Sequence, residues 1–483
     1  MLVKRTPNRI NPDHTRVILL YLTLSSKDRI KHLLTRVTSL SENEVNTVLD
    51  EVIESFEGRH PYFKNPLEGF KSGDSYFKKA LMKNFERVKG YLKEGSEISE
   101  NRKHLIGAYF TKEYSVESAA LFNPSMVPHP DQSNLDSGAL RFIISLRATG
   151  EGHISSIEFQ TGIVDAANNI HLDERSGYTV TPSKADAGFT KDFIKDRVVH
   201  IPGLNPKILE SLSEDFTASE LSGLIGKMDA GSLEASALNE LSDSNYNVRF
   251  IHDGPMCERV IFPQAACESM GMEDVRFVRF DDQGISRYYG TYTAYNGHNI
   301  KSQLIETDDF TDFKVRSLYG KAINDKGMAL FPRKINGKYA MISRQGGEII
   351  RIMYSDDVHF WDHSETLQIP QEYWEFTQIG NCGSPIETEH GWLLLTHAVG
   401  PLRKYALSAT LLDLENPSKI LGSLKEPLLS PNQDEREGYV PNVLYTCGAL
   451  LHNEEIILPY AMSDISIGFA RIALDKLITK LIG

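Results

Sequence analysis

The spacing of apolar positions changes once along this chain, near residue 105. Before that point apolar residues recur at helical intervals: Ile30, Leu33, Leu34 and Val37, then Val45, Val48, Leu49, Val52, Ile53 and Phe56, then Phe77, Leu81, Phe85, Val88 and Leu92. The second stripe follows Ser41-Glu42-Asn43-Glu44, a capping-box pattern. The spacing predicts an α-helical N-terminal region over 1–104 with one buried face, for which packing or oligomerisation is the expected role. Val17 to Leu22 is an apolar run too short to span a bilayer and reads as a buried strand.

After residue 105 the pattern becomes short β-rich runs punctuated by turns. Five segments share one plan of strand, tight polar turn and strand: Phe122 to Arg147, Glu273 to Tyr295, Leu330 to Arg344, Ser384 to His397, and Val440 to Asp464. The later turns recur about every 50 to 65 residues, the interval of propeller blades. The expected fold is all-β, a five-bladed β-propeller over 105–483, with the helical region before it and a partly helical insertion at about 165–250. Ser211 to Ser242 reads as helical, with Pro202 and Pro206 as start signals. Few apolar residues are left there to build a core, so the insertion is expected to decorate the propeller. A hairpin brings its two ends to one rim. In a closed ring Asn123, Arg147, Asp274, Arg344, Glu387, His397, Asn442 and Asp464 would converge at one mouth.

At 483 residues the chain is too long for one ordinary domain unless the architecture is repetitive or closed. A net charge of −13 argues against nucleic acid as a partner, and leaves room for a local basic pocket holding a small anion. Met1 to Asp13 has no apolar core of a leader, and the four cysteines have no CxxC spacing. A cytoplasmic protein with free thiols, no membrane partner, no metal and no cofactor is expected; a homo-oligomer is left open. A Rossmann or Walker glycine loop is missing, which weighs against nucleotide use.

The chemistry concentrates at Glu273-Asp274-Val275-Arg276-Phe277, two carboxylates and a guanidinium at the start of a strong β segment that continues through Tyr289-Gly290-Thr291-Tyr292. A carboxylic acid among fixed polar groups is what glycosidic cleavage requires, because the leaving oxygen must be protonated as it departs. An acidic turn with a surface ion pair accounts for the same pentapeptide.

From about Ile106 to Ile482 the chain resembles glycoside hydrolase family 130, the β-mannoside phosphorylases and related mannosidases. The resemblance rests on ordered motifs: Phe122-Asn123-Pro124, Ser145-Leu146-Arg147, Glu273-Asp274-Val275-Arg276, Thr291-Tyr292-Thr293-Ala294-Tyr295, Leu330-Phe331-Pro332, Gly391-Trp392 and Pro459-Tyr460-Ala461-Met462-Ser463-Asp464. It implies a five-bladed propeller and Asp274 as general acid, with Val275 where the family usually has proline. A sugar hydroxyl can relay the proton in such enzymes, so Asp274 need not touch the scissile oxygen. The acid needs a pKa near neutrality, which burial or Glu273 would supply. Inorganic phosphate, the co-substrate, needs cationic groups aimed at it. The candidates are Lys326, Arg344 and His397, with Arg147 touching sugar or phosphate. Asn123, Glu273, Arg276, Tyr292, Asn442 and Asp464 complete the expected substrate site. Each has a plainer reading: Lys326 as a solvated lysine, Arg344 paired with Glu348, His397 as structural, Tyr292 as core, and Asn123 and Asp464 as turn residues.

Glu387 departs from the pattern, standing where many family phosphorylases carry a lysine. The leading expectation is an inverting phosphorylase that cleaves β-mannosidic bonds and releases mannose 1-phosphate. The alternatives are an inverting β-mannosidase with Glu387 activating water, and a non-catalytic carbohydrate-binding propeller.

Overall fold

The computed structural model describes residues 2–58, 67, 75–93, 95, 97–199, 206–229, 231–251 and 254–483. Pro202 lies outside them. The chain forms two compact bodies: Met1–Pro12, Glu117–Ser176 and Thr181–Gly483 in one, Asp13–Val116 and Gly177–Val180 in the other.

The smaller body contains helices Lys27–Thr38, Glu42–Glu57, Tyr76–Val88 and Glu100–Tyr109. Ser41 and Glu44 form the capping box, each side chain meeting the other's backbone N–H. Val45, Leu49, Ile53, Leu81, Phe85 and Val88 are buried, as the helical spacing requires. Strand Val17–Tyr21 pairs with Thr111–Ser115.

The larger body consists of five antiparallel units. The first runs Ala120–Pro128, Leu140–Thr149, Ser155–Val164 and Ile170–Leu172; the second Gly271–Asp282, Ile285–Tyr295, Ile300–Thr307 and Asp312–Ser317. These two join through one parallel pairing, Gly271 against Ser155. The third runs Lys326–Leu330, Tyr339–Gln345, Ile349–Ser355 and Ser364–Gln368. In the fourth, Gln378–Asn381 and Ile386–Thr388 share the partner Gly391–Val399, followed by Tyr405–Leu412 and Ile420–Ser423. In the fifth, Leu444–Tyr445 and Leu450–His452 share Glu455–Met462, then Ser466–Ala473. Two hairpins turn through successive residues of positive φ, Gln283-Gly284 and Asn336-Gly337. Ala120–Pro128 packs on the first strand of the second unit and on Glu455–Met462 of the fifth; the first strand of the third unit meets those of the second and fourth, and Leu444–Tyr445 of the fifth meets Tyr405–Leu412 of the fourth.

Two expectations are corrected. Val3–Ile10 is no part of the helical region placed at 1–104, but the outermost strand of the fifth unit, paired with Ser466–Ala473. Its partner lies more than 400 residues away, so no local spacing announces it. The insertion begins later than 165, because Ile170–Leu172 is the fourth strand of the first unit. It also has a core of its own. Phe189, Ile194, Val198, Leu209, Phe216, Leu221 and Leu238 pack together, contributed a few at a time by short helices and strands rather than by one dense run. Strands Tyr246–Arg249 and Ser183–Ala185 extend the second sheet beyond Asp312–Ser317. Among the described residues no helix is long and apolar enough to cross a membrane. None of the four cysteines is in a disulfide, and Cys257, Cys382 and Cys447 are buried.

The added strand is pinned by charge. Arg5 Nε and Nη2 each donate at 2.7 Å to the two oxygens of Glu435, a residue 1% exposed, and Nη2 also donates to the Ser430 carbonyl. Tyr460 OH donates to the same carboxylate. Removing the guanidinium leaves a buried carboxylate without its cation. Arg5→Met is expected to lower the unfolding free energy by about 2 kcal/mol in urea titration, Arg5→Lys by less.

Candidate active site

The first strands of the first three units all break their ladder at one level. Register shifts fall between Phe122 and Ser125, between Glu273 and Arg276, and between Lys326 and Ala329. Asn123 (φ 49°), Asp274 (φ 57°) and Gly327 (φ 80°) sit in these bulges. A bulge re-aims a side chain that the pleat would otherwise send to a sheet face. In the fourth and fifth units the first strand is interrupted at the corresponding place, after Asn381 and after Tyr445.

The breaks surround a cavity of about 290 Å³ lined by Asn123, Arg147, Glu273, Asp274, Arg276 and Lys326, and on its other side by Arg344, Asn381, His397, Arg403, Tyr405, Tyr445 and Asp464. Arg147 binds both carboxylates, Nη1 to Asp274 at 3.0 Å and Nη2 to Glu273 at 2.9 Å. Its Nε donates to Ser155 Oγ, and its Cζ lies 4.9 Å from the Phe122 ring centre. Asn123 Nδ2 donates to Asp274 at 2.7 Å, and Lys326 Nζ to Glu273 at 2.9 Å. Beneath them Arg276, 3% exposed, donates to the Asp274 carbonyl, the Cys382 carbonyl and Tyr445 OH.

Burial pushes the Asp274 carboxyl up, but Arg147, Arg276, the Asn123 hydrogen bond and Lys326 together outweigh it and hold the group down at about 2. This reverses the expectation of an acid raised toward neutrality in the sugar-free site. Asp464 is the opposite case: burial, then the Asp274 charge, push it up to about 6 against Arg147 and Arg403. His397 is pushed well below its ordinary value by burial and by Arg344 and Arg276. It is therefore a neutral imidazole and brings no charge to an anion. Gln378 Nε2 donates to its Nε2 at 3.4 Å, which leaves the proton on Nδ1.

Four lining residues carry buried polar atoms with no partner: Asn123 Oδ1, Arg344 Nε, Asn381 Oδ1 and His397 Nδ1. Buried polar atoms are almost always satisfied, here by water or by a polar ligand in the cavity. A Cβ at position 327 would lie 3.1 Å from Asn381 Oδ1 and 3.2 Å from Arg344 Cβ, at a φ that disfavours one.

Three predicted site residues are elsewhere. Glu387 pairs with Trp392 while His397 pairs with Gly380, so five residues along one strand, roughly 17 Å, separate Glu387 from the pocket level. Its carboxylate is exposed and clasped by Arg333 Nη2 at 2.7 Å and Nε at 3.0 Å. Tyr292 points to the opposite sheet face from Thr291 and donates to the buried Glu268, which also accepts from Tyr246 OH at 2.9 Å. Asn442 acts through its backbone, accepting from Tyr405 N and donating to Arg436 O, and it is Val443 and Tyr445 that line the cavity. The sequence reading also missed Asn381, Arg403, Tyr405 and Tyr445. Asn381 stands three residues before the segment taken to start at Ser384.

Over residues 236–481, just over half of the chain, the sequence matches the family model described as β-1,4-mannooligosaccharide phosphorylase. The chain belongs to glycoside hydrolase family 130. A 1,2-β-oligomannan phosphorylase of Thermoanaerobacter sp. (strain X514) is 38% identical over 208 residues, 42% of this chain and 68% of that one. A β-1,2-mannobiose phosphorylase of the same organism is 37% identical over 213 residues, 43% and 69% of the two chains. Among solved structures, the β-1,2-mannobiose phosphorylase from Listeria innocua with β-1,2-mannobiose has a TM-score of 0.47 at 19% identity, covering 75% of this chain and 92% of that chain. The family 130 match begins at residue 236, inside the insertion, and so omits the unit that supplies Asn123 and Arg147.

The two aspartates make opposite contributions to stability. Asp464 holds a proton in the folded chain that the unfolded chain releases, so its contribution is present below about pH 4 and lost as pH rises to about 6. Asp274 contributes above its ordinary value of 3.8 and is lost as pH falls toward 2. Asp464→Asn is expected to gain stability relative to wild type progressively between pH 4 and 6, then stay level, in urea titrations across that range. A constant difference across the window would contradict the Asp464 assignment.

Proposed function

We propose that this chain is an inverting phosphorylase of β-mannosides, built as a five-bladed propeller, that transfers a mannosyl unit to inorganic phosphate. The observation that carries it is a pocket with five cationic side chains against three carboxylates in a protein whose net charge is −13. Arg147 is absorbed in holding both Asp274 and Glu273, and Arg276 in the Asp274 and Cys382 carbonyls and the Tyr445 hydroxyl. Lys326, whose ammonium also holds Glu273, and Arg344 remain to hold a phosphate, with the His397 Nδ1–H beside them. Family membership and the names of the two Thermoanaerobacter relatives support the same activity, and the relatives' names point first to β-1,2 linkages.

In the reaction a phosphate oxygen forms a bond to the mannosyl anomeric carbon while the bond to the leaving oxygen breaks. Asp274 supplies the proton to that oxygen, directly or through a sugar hydroxyl. The products are α-mannose 1-phosphate and an oligosaccharide shorter by one unit. Asp274 reaches its protonated state with the phosphate: an anion beside Lys326 and Arg344 opposes the positive field that keeps the carboxylate ionised. The free thiols support a cytoplasmic location, where phosphate and a reducing environment are both present.

Incubation with β-1,2-mannobiose should give mannose 1-phosphate only when phosphate is present; equal turnover without phosphate would remove the proposal. Asp274→Asn is expected to lower kcat by about 10²- to 10⁴-fold. Glu387→Gln should leave the rate at the wild-type level, and a collapse there would restore the hydrolytic alternative. Phosphate binding followed by calorimetry at pH 7 in buffers of different ionisation enthalpy should report proton uptake, and none in Asp274→Asn.

A further inference from the structure

Two loops at the pocket end share an unusual backbone. Gly150-Glu151-Gly152-His153 follows the second strand of the first unit, and Gly400-Pro401-Leu402-Arg403 follows strand Gly391–Val399 of the fourth. In each, an extended glycine leads into two successive residues of positive φ, Gly152 (70°) and His153 (61°), Leu402 (57°) and Arg403 (54°). Each is closed by the same bond, Gly150 N to Ile154 O at 3.2 Å and Gly400 N to Lys404 O at 3.0 Å. Three of those residues carry side chains that disfavour this conformation, and such strain gathers at ligand clamps.

The Arg403 end lines the cavity. The His153 end is held by Tyr439, whose OH lies 3.1 Å from Nδ1 with ring centres 5.7 Å apart. Tyr439 is 53% exposed although one side of its segment is fixed: Val440 N donates to Ser463 O at 2.9 Å, and Ser463 precedes the lining residue Asp464. A Cβ at Gly438 would lie 2.7 Å from Ser463 Cβ, so the segment lies directly on that turn. Tyr439 itself does not line the cavity. An aromatic ring braced by a histidine, one layer outside a sugar pocket, offers a flat apolar face with polar groups at its edge. That combination suits a pyranose, whose C–H face stacks while its hydroxyls hydrogen-bond.

We infer that Tyr439 and His153 form a platform at the pocket mouth that binds the third and later units of a β-mannooligosaccharide. The inference rests on the proposed function for the identity of the sugar. A cavity of about 290 Å³ is filled by phosphate and the units next to the cleaved bond, so longer chains must leave across the mouth. The platform selects for chain length, since a disaccharide ends before reaching it.

The full chain and its Tyr439→Ala, Tyr439→Phe and His153→Ala variants should be compared on β-1,2-mannobiose and β-1,2-mannotetraose, by phosphorolysis rate and by calorimetric binding of the tetrasaccharide. Thermal unfolding serves as the folding check. In Tyr439→Ala the preference in kcat/KM for tetrasaccharide over disaccharide should fall about tenfold, through KM, the size of one lost aromatic contact. Tyr439→Phe keeps the stacking face and should retain most of the preference; His153→Ala frees the ring and should fall between. An unchanged chain-length preference and unchanged tetrasaccharide affinity in a folded Tyr439→Ala protein would overturn the platform. Tetrasaccharide binding that the alanine variant loses would uphold it even if wild type showed no phosphate-dependent turnover, an outcome that would remove the proposed reaction instead.

Discussion

The buried guanidinium of Arg276 joins three units that are far apart in sequence. It comes from the second unit, takes the Cys382 carbonyl from the fourth and the Tyr445 hydroxyl from the fifth, and returns to the Asp274 carbonyl. A buried cation without such partners is strongly destabilising, so the three units are constrained to meet around it. Neighbouring contacts extend the belt: Phe277 N to Ser125 Oγ, Asn381 Nδ2 to Gly327 O, and Cys447 N to Pro124 O. Every one of these lies at the level of the strand breaks. The same geometric fault that turns side chains into the pocket also frees the backbone groups that lace the units together.

How far this was legible in the sequence depends on whether the information was local. Asn123, Arg147, Asp274, Arg344, His397 and Asp464 were found because each lies beside a turn, a Pro or Gly, or a strand end, and local pattern marks such places, whereas Lys326 came from the family resemblance. Glu387 was misplaced because the segment before the His390-Gly391 turn was taken as the rim end, when register puts Gly380 opposite His397. Tyr292 was assigned to the site by motif, but alternation sends it to the other face, against Glu268. Asn381 and Tyr445 sit on first strands too short and interrupted to show a period of two. Val3–Ile10 and the insertion's core depend on pairings and packing that no window of sequence contains.

The electrostatics of the pocket state the constraint on any reaction there. An acid held at about 2 is ionised at neutral pH and gives no proton. The hold could be relaxed by moving Arg147, but that group is fixed by Ser155, Glu273 and the Phe122 ring as well as by Asp274. It could be relaxed by deeper burial, yet the carboxylate is already enclosed. What remains is compensation of the positive field by an incoming anion on the Lys326 and Arg344 side. In the proposed reaction a phosphate would do this and would also supply the nucleophile, so protonation and nucleophile would arrive as one event. Water brings no such charge, and the carboxylate that would have activated it, Glu387, lies at the far end of its strand in the grip of Arg333.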